Sequence, residues 1–136
     1  MSTVLDPKVI DKAMSLASPF IDGTGKFNVR ALCEALTLTR KDLATATNKN
    51  PQWFQEYWNG SFKKPTDNTV HQTIEQLLLI YVLLASICKE EGQTKLWMRL
   101  PNPAFDNKTP ASLIVGGQLD MVRDTLIGLV TGGSPA

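Results

Sequence analysis

The sequence predicts an all-α fold, and three observations predict it. Apolar residues recur at intervals of three and four in each candidate element, alternating strand-like runs are scarce, and candidate helix starts carry Asn, Asp or Thr, several with proline beside them. With 136 residues, 43% of them hydrophobic, the chain is long enough to bury a core as one domain, or as one domain with an appendage.

Taken in order, Asp6-Pro7 supplies a cap and a proline for a first helix, whose face is Val9, Ile10, Ala13, Met14 and Ala17 until Ser18-Pro19 stops it. Residues 22–25 form a loop. Asn28 caps a second helix striped by Val29, Leu32, Cys33 and Leu36. Thr39 caps a third, with Asp42 three residues on as a short variant of the capping box. After a turn at Asn48, Asn50 and Pro51 start a fourth helix that carries Trp53, Phe54, Tyr57 and Trp58. It ends at Asn59-Gly60, where glycine can take the left-handed conformation. A basic loop, 61–65, leads to a long helix over 67–91 with Val70, Ile74, Leu77, Leu78, Tyr81, Leu84, Ile87 and Cys88 as the central packing post. Gly92 is expected to end it. A short helix over 94–100 stops at Pro101. Thr109-Pro110 starts another, Gly116-Gly117 breaks it, and Leu119, Val122, Leu126, Leu129 and Val130 stripe the last. The expected organisation is an N-terminal helical region (1–66), the long helix (67–92) and a small C-terminal subdomain (93–136) with a loose tail.

Composition excludes several functions. A net charge of +1 argues against a basic nucleic-acid coat or a surface that adsorbs to membranes by charge. Cys33 and Cys88 lack metal-ligand spacing and read as reduced core thiols of a cytoplasmic protein. The N-terminus carries charges inside its apolar pattern and does not read as a signal peptide. The longest apolar run, 77–88, falls short of the ~18 residues a spanning helix needs. His71 is the single histidine, with no second His or Cys beside it in sequence, so no metal site is expected. Nucleophile-elbow, zinc-protease, P-loop and dinucleotide fingerprints are missing, and Glu90-Glu91 reads as a solvated helix end. No catalytic residue and no cofactor are assigned.

Residues 39–60 have helix-turn-helix spacing. Leu43 and Ala44 suit a close helix crossing, and Phe54 and Tyr57 are expected inward. On DNA, Asn50, Gln52, Trp53 and Gln55 would lead the recognition helix, with Glu56 beside them. Arg40, Lys41, Lys49, Lys63 and Lys64 would contact phosphate. A helix pair that simply packs fits the same spacing. Four aromatics in six residues exceed what one face of a short helix buries, so a contact surface is expected there.

The stretch LWMRLPNPAFDNKTPASLIVGG, residues 96–117, places three prolines and an amide-rich turn between two short helices. Trp97, Pro101-Asn102-Pro103, Phe105, Lys108-Thr109-Pro110, Leu113, Ile114, Gly117, Val122 and Leu126 together resemble the toxin-binding domain of Xre/MbcA/ParS antitoxins. Upstream, ALTLTRKDLATATNKNPQWFQEYWNG, with its Trp58-Asn59-Gly60 ending, looks like the helix-turn-helix that precedes that domain. Asn107 stands where glycine is expected, and the recognition helix lacks an arginine. The resemblance implies a partner, a RES-domain toxin that consumes NAD⁺, inhibited by binding. It also implies operator DNA as a second partner and a homo-oligomer. Trp97, Pro101, Leu113, Val122 and Leu126 are expected in the core. Toxin contact is expected from Arg99, Asn102, Phe105 and Lys108 around the proline turn, from Arg123 on the last helix and from the tail at Thr131, the two arginines pairing with toxin carboxylates. A stand-alone helix-turn-helix transcriptional regulator is the alternative.

Overall fold

The computed structural model describes residues 7–60 and 62–132, and over these the chain is all-α. In order come α1 (Pro7–Ala17), α2 (Val29–Ala35), α3 (Arg40–Thr47), a 3₁₀ turn (Pro51–Phe54), α4 (Gln55–Asn59) and α5 (Asn68–Ile87). They are followed by α6 (Glu91–Arg99), a second 3₁₀ turn (Pro103–Phe105), α7 (Pro110–Val115) and α8 (Leu119–Val130). The described residues contain no strand, only isolated antiparallel bridges that close loops at Ile21–Phe27, Phe27–Lys63 and Asn102–Lys108.

The long helix α5 is the post. It buries Val70, Ile74, Leu77, Ile80 and Leu84, and α1, α2, α3, α6 and α8 all pack on it. One core cluster extends in sequence from Phe20 to Leu126, and its largest fully buried side chains include Phe54, Leu32, Leu36, Leu43, Met98 and Ile114. By length and composition α5 could cross a membrane, although the apolar run 77–88 is shorter than a span. Its buried stripe is used instead to hold the surrounding helices together.

Local chemistry accounts for most of the helix starts. Asn28 accepts from the Ala31 N–H, and Thr39 and Asp42 form a reciprocal capping box. Asn50 caps Pro51–Phe54, Asp67 caps α5 and Thr109 caps α7. These side chains satisfy amide donors that the first helical turn leaves unpaired. The expected cap Asp6 lies outside the described residues.

Three helices end by one device. At Thr37 (φ 60°), Asn48 (φ 56°) and Gly117 (φ 84°) the backbone turns left-handed. The residue after each donates far back into the helix: Leu38 N to Cys33 O, Lys49 N to Ala44 O, and Gln118 N to Leu113 O, all at 2.8 Å. This is the Schellman pattern.

Several expectations need correction. The α1 face is not buried: Val9, Ile10 and Met14 are exposed, and only Ala13, Leu16 and Ala17 are half-covered. The fourth helix divides into a 3₁₀ turn and the five-residue α4, and Gly60 is extended (φ −91°), not left-handed. A Cβ on Gly60 would lie 2.5 Å from Lys63 Cε and 3.0 Å from Glu56 O, so glycine meets a close approach there. α5 stops at Ile87, and Gly92 falls in the first turn of α6, which starts at Glu91 and not at Thr94. Acidic Glu91 suits the positive end of the α6 dipole, and Gln93 Oε1 reaches back to accept from the Lys89 N–H at 3.0 Å. Ile87, Leu129 and Val130, expected inward, are exposed, as is Pro101.

Candidate functional site

The segment between α6 and α7 is a compact elbow. Leu100 is extended (ψ 142°), as a residue before proline prefers, and this ends α6. Pro103 opens the 3₁₀ turn and Pro110 opens α7, each preceded by a capping side chain: Asn102 Oδ1 accepts from Ala104 N at 2.9 Å, and Thr109 Oγ1 from Ser112 N at 3.1 Å. Asp106 (φ 53°) and Asn107 (φ 63°) then reverse the chain in the left-handed region. Asn107 fills the position where glycine was expected, and asparagine tolerates that conformation. Asn102 N donates to Lys108 O at 3.1 Å, and Asn107 N to Asn102 O at 3.0 Å, so the loop closes on itself. The plug under it is Phe105, 2% exposed, with its ring edge-to-face on Trp97 at 6.2 Å.

This geometry changes the standing of the residues expected at a toxin contact. Phe105 is a core residue, correcting its expected place at the surface. Arg99, although exposed, bonds back to its own chain: Nε donates to Thr37 Oγ1 at 2.9 Å, Nη2 donates to the Thr37 carbonyl, and Asp42 Oδ2 lies 3.9 Å away. Arg123 donates from Nη1 to Gln76 Oε1 at 2.8 Å and from Nε to Asp124 Oδ1 at 3.0 Å, with Asp120 at 3.1 Å. Both guanidinium groups thus tie elements of this chain together. Asn102 is occupied by its cap, and Thr131 Oγ1 donates back to Ile127 O at 2.8 Å. Lys108 is exposed, and its carbonyl closes the base of the loop on Asn102. Trp97 is half-buried, while Leu113, Val122 and Leu126 are core residues. Sequence reasoning missed two exposed leucines, Leu96 on α6 and Leu100 just past its end. Their four-residue spacing beside inward Thr94 and Met98 was the available signal.

Around residues 39–60, α3 and the Pro51–Phe54 turn pack together across the left-handed Asn48. Phe54 and Tyr57 point inward as expected, and Trp53 stacks on Tyr57 at 5.3 Å. Of the residues expected to meet DNA, Lys49 is engaged by Asp67 at 3.0 Å and lies 5.3 Å over the Trp53 ring. Asn50 Oδ1 accepts from Gln52 N at 2.9 Å. Arg40 and Trp53 are half-buried. Lys41, Gln52, Gln55, Lys63 and Lys64 are exposed. α4, at five residues, spans about 7.5 Å, two helical turns short of a typical globular helix.

Other chemically capable groups have structural partners. His71 Nε2 is 3.1 Å from Glu75 Oε1, and its ring sits edge-on to Phe27 at 5.6 Å. Among the described residues no three His, Cys, Asp or Glu side chains gather as a metal site. Burial pushes the Cys33 thiol far above its ordinary pKa, with Asp42 and Glu34 adding to the effect, so it is held protonated.

The fold and the elbow define a class: an all-α protein whose α6–α7 connection is closed by its own caps and backbone hydrogen bonds. Residues 84–130 match the family model described as the antitoxin Xre/MbcA/ParS C-terminal toxin-binding domain. Over most of the chain the fold is similar to a chain in the crystal structure of the M. tuberculosis MbcT–MbcA toxin–antitoxin complex. The TM-score is 0.54 and the identity 21%, over 77% of this chain and 92% of that one. No curated protein matches the sequence.

Proposed function

We propose that this chain is an antitoxin that binds and blocks a partner toxin of the RES-domain, NAD⁺-consuming type, acting as a homo-oligomer in the cytoplasm. The observation that carries the reading is the match of residues 84–130 to a toxin-binding domain. The elbow gives it a physical basis. Three prolines, two side-chain caps and a closed backbone loop fix residues 101–110 before any partner arrives, which lowers the entropy lost on docking. The NAD⁺ chemistry belongs to the partner. This chain acts by occupancy, as an inhibitor without catalysis or cofactor.

Co-expression with the toxin encoded beside it tests the proposal. The two chains should co-purify, growth should be rescued, and cellular NAD⁺ should stay at the level of toxin-free cells. Separate elution together with unrelieved toxicity would end the proposal.

A second reading, DNA binding through residues 39–60, is favoured by α3, its capping box and the left-handed Asn48 joining it to the next helix. It covers both autoregulation and a stand-alone regulator. Binding to the chain's own promoter should weaken steeply with salt. Lys41→Ala and Lys64→Ala should lower that slope, and equal binding to unrelated DNA would count against the reading.

A further inference from the structure

The matched segment exposes large apolar side chains along α8, at Met121, Ile127, Leu129 and Val130, and where α5 meets α6, and the second set lines a groove. Ile87, Cys88, Gln93, Leu96, Trp97 and Leu100 line an open groove of about 350 Å³. Leu96 is 57% exposed, Leu100 49% and Ile87 45%. The inward face of α6 is already made by Thr94 and Met98, so its packing does not require the two leucines. Leu96 on α6 and Leu100 just past its end both line this groove. A single exposed leucine carries no message, but two lining one groove mark a contact surface. Exposed Lys89, Glu90, Glu91, Lys95 and Arg99 flank it in sequence, with both signs of charge. An apolar centre inside a polar rim is the anatomy of a protein–protein interface.

We infer that this groove is the toxin-docking surface, and that the toxin fills it with one or two large apolar side chains. The inference rests on the antitoxin reading and moves the contact away from Arg99 and Arg123. Two observations choose this occupant. All six lining residues fall within 84–130, the segment matched to a toxin-binding domain, whereas the groove between α1 and α5 is lined only by residues 13–82. Both arginines that would have clasped toxin carboxylates are already bonded within the chain. Mixed rim charge and an apolar floor also make the groove a poor seat for a polyanion.

The test measures affinity for the toxin encoded beside this chain, immobilised in a catalytically inactive form. Leu96→Lys and Leu100→Lys should each weaken binding at least about tenfold with an unchanged thermal melt, since central apolar contacts dominate interface energy. Leu96→Gln should fall between them and wild type, which guards against a folding artefact. Met14→Lys, the same change at the α1–α5 groove, should stay within about twofold of wild type. Wild-type affinity in the α6 variants overturns the inference while leaving the antitoxin reading intact. So does loss of binding in Met14→Lys alone. If Leu96→Lys instead dissociates an oligomer of this chain in the absence of toxin, the groove is a self-interface and the inference is wrong. If the wild-type chain does not bind the toxin, the antitoxin reading fails and the inference falls with it.

Discussion

At the scale of single residues, Asp67 serves two elements at once. Its Oδ1 accepts from the Val70 N–H at 3.1 Å and caps α5, while Oδ2 accepts from Lys49 Nζ at 3.0 Å. These bonds, Lys49's first, hold its pKa below the ordinary aspartate value. A carboxyl that binds its proton more weakly when folded stabilises the fold fully above the unfolded pKa, ~3.9, and loses that contribution as pH falls through the lower folded value. Asp67→Asn keeps an oxygen for the Val70 N–H but drops the charge. The variant should be less stable than wild type at pH 7, and the gap should close as pH is lowered below ~4. Urea unfolding at a series of pH values measures this. A gap that stays constant with pH would show that the Lys49 pairing contributes nothing. The same bond removes Lys49 from the set of cations free to meet phosphate, a change in role that only geometry reveals.

Among elements, the three left-handed helix ends can be ranked by what occupies them. Glycine at 117 takes φ 84° without steric cost, asparagine at 48 tolerates 56°, and Thr37, β-branched, is poorly suited to 60°. Thr37 stays there because buried Leu38 follows it and Arg99 donates to both its hydroxyl and its carbonyl. Thr37→Asn relieves the backbone and still offers an acceptor, so it should stabilise by about 0.5–1 kcal/mol. Gly117→Ala should destabilise by about 1–2 kcal/mol, entirely through the backbone, since a Cβ there would meet nothing within 4 Å. Thermal melts of the pair read both signs, and a stabilised Gly117→Ala would contradict the Schellman account.

The same elements show what could be read in advance. Caps at Asn28, Thr39, Asn50 and Thr109, and the parts played by Pro101, Pro103 and Pro110, are local chemistry and stand in the sequence, whereas the Asp67 cap was not read there. The α5–α6 boundary is not local: Gly92 looks like a stop, yet α6 begins before it, because a glycine in the first turn costs little and Gln93 satisfies the Lys89 N–H. The candidate site was legible as a segment, 96–117, but not residue by residue. Whether Arg99 faces a partner or Thr37, sixty-two positions away, depends on how α6 lies against the α2–α3 turn. Periodicity carries no information about that.

For the whole molecule, the expected units 1–66, 67–92 and 93–136 share one post. The core cluster runs from Phe20 through α5 to Leu126, and Arg99 and Arg123 bond across the divisions to Thr37 and Gln76. A C-terminal subdomain separated from α5 would expose Val122 and Leu126, both fully buried. The chain should therefore unfold as one cooperative unit, as small single domains do. Its three tryptophans make this measurable, since Trp53 and Trp58 lie before α5 and Trp97 lies after it. In Trp97→Phe, fluorescence reports the N-terminal side; in Trp53→Phe with Trp58→Phe, it reports the ring packed on Phe105. Within each variant the urea midpoint by fluorescence should coincide with that by far-ultraviolet circular dichroism. A Trp97 transition well below its own dichroism midpoint would mean that 93–136 opens separately. The segment matched to a toxin-binding domain would then be a detachable module, and the pre-ordering of its elbow would have to come from the elbow's own hydrogen bonds instead of from the shared core.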